Sequence, residues 1–311
     1  MLPKIFQGVR VLDFSRLLPG PFASDLLIRL GAKVTCVQPP GTDPLLGVYT
    51  PFIKLRSGKK FLTLDLKTAV GKKRALALVQ KSDILLEGFR PGSLARLGLG
   101  FEKVRAKNPK ILYVSLVGYP QGHSKFLRGA HDLNFLVDAG VYSLLYPDGS
   151  DVIPALQLAD VFGGFYAAFR ILVAWIQRVK MPQALHLTVP LTEGLERLTD
   201  YLQHESSVPL LPSLTGALAR YRVYWTKDRK RIAVAALESK FFANFLEVLE
   251  IRGMERKNER DLAWQIQKRI GKKNLAEWKR IFREADACVS FIPSREEALK
   301  GSSKKYLRDP I

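Results

Sequence analysis

Three short segments place proton-carrying side chains at the start of apolar helical patterns. His131 and Asp132 open Ala130-His131-Asp132-Leu133-Asn134-Phe135. Asp160 precedes Gly163-Gly164 and a long apolar run, and Glu238 precedes Ser239-Lys240-Phe241-Phe242. Imidazole and carboxylate are the groups whose pKa values environment tunes towards neutrality, so they suit proton transfer to and from carbon. Each also has a plain structural reading. Asp160 is an N-cap, Glu238 a cap or a first-turn acid opposing the helix dipole, and His131 a cap or a satisfied core residue. Asp132 either caps the helix or binds a ligand. The motifs that would name a chemistry outright are missing: no G-x-G-x-x-G follows the first strand, and there is no P-loop, G-x-S-x-G or H-E-x-x-H. His186 falls inside a strand pattern and His204 beside a proline-rich stretch, and neither receives a role. Cys36 and Cys288 are the only cysteines and lie far apart, which excludes a disulfide framework and a cysteine-rich zinc site and suits a reducing compartment.

The elements that must position these residues follow from the pattern. Strands are expected at residues 8–14, 33–38, 61–65, 83–87, 111–116 and 183–190. Helices are expected at 22–30, 68–80 and 160–178, with a turn at Leu18-Pro19-Gly20-Pro21. Strands separated by helix-length segments imply a parallel sheet with helices on both faces, which binds ligands at the carboxyl ends of its strands. The prolines of 206–213 read as a linker. Beyond it lie strands at 221–225 and 231–236, helices at 241–249, 259–270 and 275–284, and a strand at 288–292. The expected organisation is a large α/β domain over 1–205, a linker over 206–218 and a small α+β domain over 219–311.

The chain has 311 residues and a net charge of +20, so an anionic partner is expected. Residues 219–311 carry 23 basic and 13 acidic side chains. No run of five basic residues and no helix-turn-helix, zinc-finger or ribonucleoprotein motif occurs, which argues against specific nucleic-acid recognition. The longest apolar stretch, Phe162 to Ile176, is interrupted by Arg170 and is short for a membrane span. No signal peptide is recognisable, and a cytoplasmic location is expected.

Taken in order, several segments resemble the class III CoA-transferases and α-methylacyl-CoA racemases. They are Gly8-Val-Arg-Val-Leu-Asp-Phe14, the Pro19-Gly20-Pro21 turn, Leu30-Gly-Ala-Lys-Val34, Lys59-Lys-Phe-Leu-Thr-Leu-Asp-Leu-Lys67 and Ser82-Asp-Ile-Leu-Leu-Glu-Gly-Phe-Arg-Pro-Gly92. Arg96-Leu-Gly-Leu-Gly100, Asn108 to Tyr119, Ala130 to Phe135, Leu158 to Gly164, Ala235 to Phe242 and Ala285 to Val289 complete the set. The resemblance implies a large Rossmann-like parallel-sheet domain plus a smaller α+β domain, in an interlocked or partly interlocked homodimer. It implies an acyl-CoA substrate and no metal or redox cofactor.

The transferases use the aspartate matching Asp160 as a covalent nucleophile and typically lack a histidine at the place of His131. The racemases have His-Asp-x-Asn-[Tyr/Phe], the same aspartate and a glutamate before a Phe-rich helix. His131, Asp160 and Glu238 together favour the racemase branch. That branch implies removal of the C2 proton of a 2-methylacyl-CoA on one face and its return on the other, with His131 and Asp160 as the two bases. Glu238 would orient His131 or stabilise its imidazolium, and N–H groups near Asp160 would stabilise the enolate oxygen. Gly163 and Gly164 would let the thioester approach the backbone. By analogy and by charge, Arg90 and Lys59 or Lys60 would meet the CoA phosphates. The alternatives are a CoA-transferase acting through a covalent intermediate on Asp160 and a non-catalytic acyl-CoA-binding relative. About twenty residues follow Cys288, so a shortened return to the large domain is expected.

Overall fold

The computed structural model describes residues 4–41, 55–146, 149, 151–180, 183–203, 215–253 and 258–302. It divides into two compact units, Met1–Tyr201 and Leu202–Pro310. Residues 206–214 of the expected linker lie outside the described residues.

In the first unit six strands form one parallel sheet: β1 (Arg10–Asp13), β2 (Lys33–Gln38), β3 (Lys60–Thr63), β4 (Ile84–Glu87), β5 (Leu112–Val117) and β6 (Leu185–Pro190). Their spatial order is β3-β2-β1-β4-β5-β6. Every pairing is parallel, as in Val11↔Val34, Val11↔Ile84 and Leu85↔Tyr113. β4 and β5 are buried along their whole length, which is why they read as unbroken apolar runs rather than alternating ones.

Both faces are covered by helices. On one face Val11, Val34, Ile84, Leu86, Val114 and Leu116 pack with Ala23 and Leu27 of α1 (Pro19–Arg29) and with Ala167, Ile171 and Ala174 of α6 (Leu158–Lys180). On the other, Leu12, Leu85 and Tyr113 meet Ala75 and Val79 of α2 (Ala69–Val79) and Val104 of α3 (Phe101–Lys107). The Thr68 side chain starts α2 by accepting the Gly71 N–H at 3.0 Å. Between β5 and α6 lie α4 (Asp132–Asp138) and α5 (Val141–Leu145).

Several elements differ from expectation, α3 and α5 among them, which occur where no helix was expected. α1 begins at Pro19 rather than residue 22, because proline is tolerated in a first helical turn, where its missing N–H has no partner to lose. α7 (Leu191–Gln203) follows β6 directly after Pro190, where no helix was expected. α6 is long and apolar enough to cross a membrane by length and composition, but Ala167 and Ile171 are fully buried against the sheet. It is a core helix.

The second unit is a three-stranded antiparallel sheet, β7 (Tyr221–Trp225), β8 (Arg231–Ala235) and β9 (Val289–Ile292), in the order β7-β8-β9. Helices α8 (Ser239–Val248), α9 (Glu259–Ile270) and α10 (Leu275–Ile281) cover it, and α11 (Arg295–Ser302) follows β9. Tyr224, Ile232, Phe245, Ile266 and Trp278 form its core.

Gly163 and Gly164 lie in α6 where its backbone meets neighbours. A Cβ on Gly164 would stand 2.5 Å from the Pro19 carbonyl oxygen, and one on Gly163 would stand 2.4 Å from Leu191 Cδ2. Their bare faces are already filled by α1 and α7, so the structure gives them helix packing and not the expected close approach of a thioester. Gly164→Ala forces the α1 backbone outward, with an expected loss of about 1–3 kcal/mol. A thermal melt of this variant that superimposes on the wild type would refute the packing role.

Candidate active site

The loop that follows β5 carries His131, and polar anchors hold it. Tyr119 donates its hydroxyl to Asp138 Oδ2 at 2.6 Å, and Lys125 Nζ reaches Asp138 Oδ1 at 2.6 Å. Both contacts hold the Asp138 carboxyl below its ordinary pKa. The His123 ring stacks on Tyr119 with centroids 4.8 Å apart. His131 is the N-cap of α4, and its backbone N–H is received by the Asn134 side chain at 3.1 Å. That bond fixes the backbone while the imidazole stays exposed.

Asp132 joins this loop to α6. It is the first residue of α4, yet its carboxylate caps a different helix: Oδ1 accepts the Asp160 N–H at 3.1 Å, and the Ala159 N–H is also directed to it. Asp160, the expected start of this helix, lies in the first turn of α6, two residues inside its observed start at Leu158. His131 and Asp160 are therefore separated by one peptide unit and one hydrogen bond.

Two opposing effects act on Asp160. A helix N-terminus favours a carboxylate, but burial and, second, the Asp132 charge disfavour it. The unfavourable effects win and push the Asp160 pKa up to about 7. Burial also raises Asp132, offset in part by the two N–H groups it receives. A carboxyl that titrates near neutrality can give and accept a proton at working pH.

This cap also corrects an expectation. The Asp160 N–H is taken by Asp132, and the Val161 N–H by the Gln157 carbonyl at 3.0 Å. These first-turn donors of α6 are satisfied within the protein and do not await an enolate oxygen. Asp132 acts here as a cap and a neighbouring charge.

The expected phosphate ligands divide. Arg90 follows β4, is exposed, and lies over the same loop: a Cβ on Gly129 would stand 2.5 Å from its Nη2. Among the described residues it has no ion-pair partner. Lys60 is exposed at the start of β3. Lys59 turns inward, where Nζ donates to the Pro21 carbonyl and to Ser24 Oγ, both at 2.7 Å. Ser24 in turn donates to the buried Asp13 at 2.6 Å. Burial lowers the Lys59 pKa and Asp13 opposes the fall. Lys59 thus straps β3 to α1 and is not free for a phosphate, because a buried carboxylate at the end of β1 requires a compensating charge.

The sequence reading missed this Asp13–Ser24–Lys59 chain; the only trace was a polar residue ending an apolar strand. Burial and the adjacent Asp13 also push the Cys36 thiol up to about 12. His186, left without a role, lies 2.9 Å from Ser115 Oγ through Nε2 and stacks on Phe101. Glu238 belongs to the second unit, where it is the N-cap of α8 without a side-chain capping bond.

Asp160 gives a pH signature. Its pKa is higher folded than unfolded (ordinary value about 3.9), so protonation favours the fold. The associated stability is present below the unfolded pKa and is lost as pH rises through about 7. Asp160→Asn cannot ionise, so its melting temperature relative to wild type is expected to climb between pH 4 and 7 and level off above. A difference that stays constant with pH would contradict the raised pKa.

Comparison with known proteins shows the family of this chain. The chain is 31% identical over 313 residues to the α-methylacyl-CoA racemase of Homo sapiens, covering 96% of this chain and 80% of the relative. It is 28% identical over 263 residues to the human succinyl-CoA:glutarate CoA-transferase, covering 80% of this chain and 60% of that protein. The crystal structure of the hypothetical protein Rv3272 from Mycobacterium tuberculosis superimposes with a TM-score of 0.82 at 25% identity, over 96% of this chain and 88% of that one. CoA-transferase family III matches residues 6–306, and this chain is an enzyme of that family.

Proposed function

We propose that this chain is an acyl-CoA racemase that epimerises C2 of a 2-methylacyl-CoA. The observation that carries the reading is the bridge through Asp132, which holds the helix bearing Asp160 beside the residue that presents an exposed imidazole. One of the two groups takes the C2 proton, and the electron pair left on carbon passes into the thioester carbonyl as an enolate. The conjugate acid of the other group returns a proton to the opposite face, and the pair exchanges roles in the reverse direction. An Asp160 pKa of about 7 supports this, because such a base must be available in both protonation states. Arg90, beside the His131 loop and without an ion-pair partner among the described residues, serves a CoA phosphate in this proposal. Lys60 is retained as a second, exposed candidate. Glu238 is kept as the third functional residue on the resemblance alone.

A second reading rests on the same carboxyl. Asp160 attacks the thioester carbonyl, CoA leaves as its thiolate, and a mixed anhydride forms; an acceptor carboxylate displaces the donor acid from the Asp160 carbonyl, and the CoA thiolate then attacks the acceptor's carbonyl, giving the new thioester and free Asp160. The two readings differ in what they ask of His131. In deuterated water, (2S)- and (2R)-2-methylacyl-CoA are expected to take up deuterium at C2 and to interconvert, as followed by mass spectrometry and NMR. His131→Ala and Asp160→Ala are expected to slow epimerisation by roughly 10²–10⁴-fold. Absence of exchange from either epimer would overturn the racemase reading. A hydroxylamine-trapped acyl group on Asp160, formed equally well in His131→Ala, would establish the transferase reading instead.

We further propose a homodimer in the cytoplasm. The free thiols of Cys36 and Cys288 support a reducing compartment. Phe165, Phe169 and Ile176, each more than half exposed along α6, support a second copy covering that helix. Light scattering on the purified chain is expected to give twice the 35.0 kDa protomer mass; a monomer at micromolar concentration would count against it.

A further inference from the structure

The second unit holds a groove that the proposed reaction does not use. It has a volume of about 620 Å³ and runs along the free edge of β7, between that strand and α9. Its walls include Trp225, Trp264, Arg222 and Arg260. The two indoles are 52% and 62% exposed, whereas Trp278 of the same unit is buried in the core. Exposing two large aromatics side by side is unusual for a surface with no partner.

The charge around the groove is mostly basic, with Asp261 as an acid in its wall. The Arg231 guanidinium stands 5.7 Å from the Trp225 ring and Lys268 Nζ stands 5.1 Å from Trp264. Arg222 and Arg260 are exposed, and neither has an ion-pair partner among the described residues. The nearby acids keep their charge and receive hydrogen bonds from neutral groups of the protein. Asp261 Oδ2 receives the Asn258 side-chain amide at 2.9 Å, and Glu259 receives the Ala219 N–H at 2.6 Å.

The edge of β7 adds a directional contact. The Ala236 N–H to Arg220 carbonyl bond and the Thr226 N–H to Lys230 carbonyl bond put the ladder through even-numbered residues of β7. The N–H and C=O of Val223 and Trp225 therefore face the free edge. At Trp225 one planar amide answers both: Gln267 Oε1 accepts the N–H at 2.9 Å and Nε2 donates to the carbonyl at 2.8 Å. Val223 offers the same donor and acceptor pair two residues along the groove, with no such answer among the described residues. A planar ring edge with an adjacent acceptor and donor fits there as the Gln267 amide fits at Trp225. Adenine has such an edge.

From this arrangement we infer that the groove binds a phosphorylated nucleobase, with the ring stacked on tryptophan, its edge on the Val223 backbone and its phosphate on Arg222 and Arg260. Stacking on exposed aromatics within a basic groove is how nucleotides are held with little dependence on sequence. A free nucleotide and a single-stranded nucleic acid share this chemistry.

The test uses the full chain without CoA, which is itself an adenine nucleotide and would compete for the groove, and the groove's share is the binding lost in its own variants. The probes are adenosine 5′-monophosphate, inorganic phosphate and a fluorescein-labelled twelve-residue oligoadenylate, read by tryptophan quenching and by anisotropy. Adenosine monophosphate or the oligomer is expected to bind, and phosphate alone to bind far more weakly. Trp264→Ala and Arg260→Ala are each expected to weaken binding about tenfold, while Trp264→Phe, which keeps a stacking face, stays close to wild type. Thermal melts check that all three variants fold. Tighter binding of the oligomer identifies single-stranded nucleic acid as the source, and tighter binding of the monophosphate identifies the free nucleotide. The inference is overturned if neither probe binds below millimolar concentration, or if the folded alanine variants bind as the wild type does. It concerns the second unit alone, so the deuterium-exchange result does not bear on it.

Discussion

A single carboxylate ties the candidate site together. Asp132 begins one helix and caps another, so the loop after β5 and the first turn of α6 cannot move independently without leaving N–H groups of α6 unpaired. The same oxygen atoms place a negative charge next to Asp160 and, with burial, push its pKa up to about 7. The contact that positions the acid also tunes it. A helix N-terminus alone would have made Asp160 a stronger acid; a second, partly buried carboxylate reverses that outcome.

The scaffold explains why this cap can hold. α6 presents small residues where other backbones approach, and Gly164 lets the start of α1 lie directly against it. On its sheet side Ala167, Ile171 and Ala174 fill the space over the central strands. The loop bearing His131 has its own anchors in Tyr119, Lys125 and Asp138. A residue fixed at its backbone N–H whose side chain is exposed suits a group that must meet a substrate.

Charge is handled differently in the two units. In the first, Asp13 is buried and neutralised through Ser24 and Lys59, which converts an apparent surface lysine into an internal strap. In the second, cations stay outside and gather around two exposed indoles. The positive balance of the chain is thus partly structural and partly a surface property, a distinction that depends on which ammonium groups find a buried partner.

The parallel sheet, its helices and the small antiparallel unit were legible in the linear pattern because burial on both faces imposes apolar runs on β4 and β5. β2, for example, lies at the expected residues 33–38. The candidate residues came from the family resemblance, because by residue type and position alone His131, Asp132 and Asp160 read equally well as helix caps. α7 was not legible, because Pro190 and Leu191 pass from strand to helix with no intervening turn. The inward turn of Lys59, the filled faces of Gly163 and Gly164, and the commitment of Asp132 to the N–H of Asp160 were not legible either. Each of these depends on atoms far apart in the chain. The sequence by itself determined most of the strand and helix segments and which side chains can carry protons. Tertiary structure alone decided which of those charges are paired, because desolvation and Coulomb energy depend on distances in space and not on spacing along the chain.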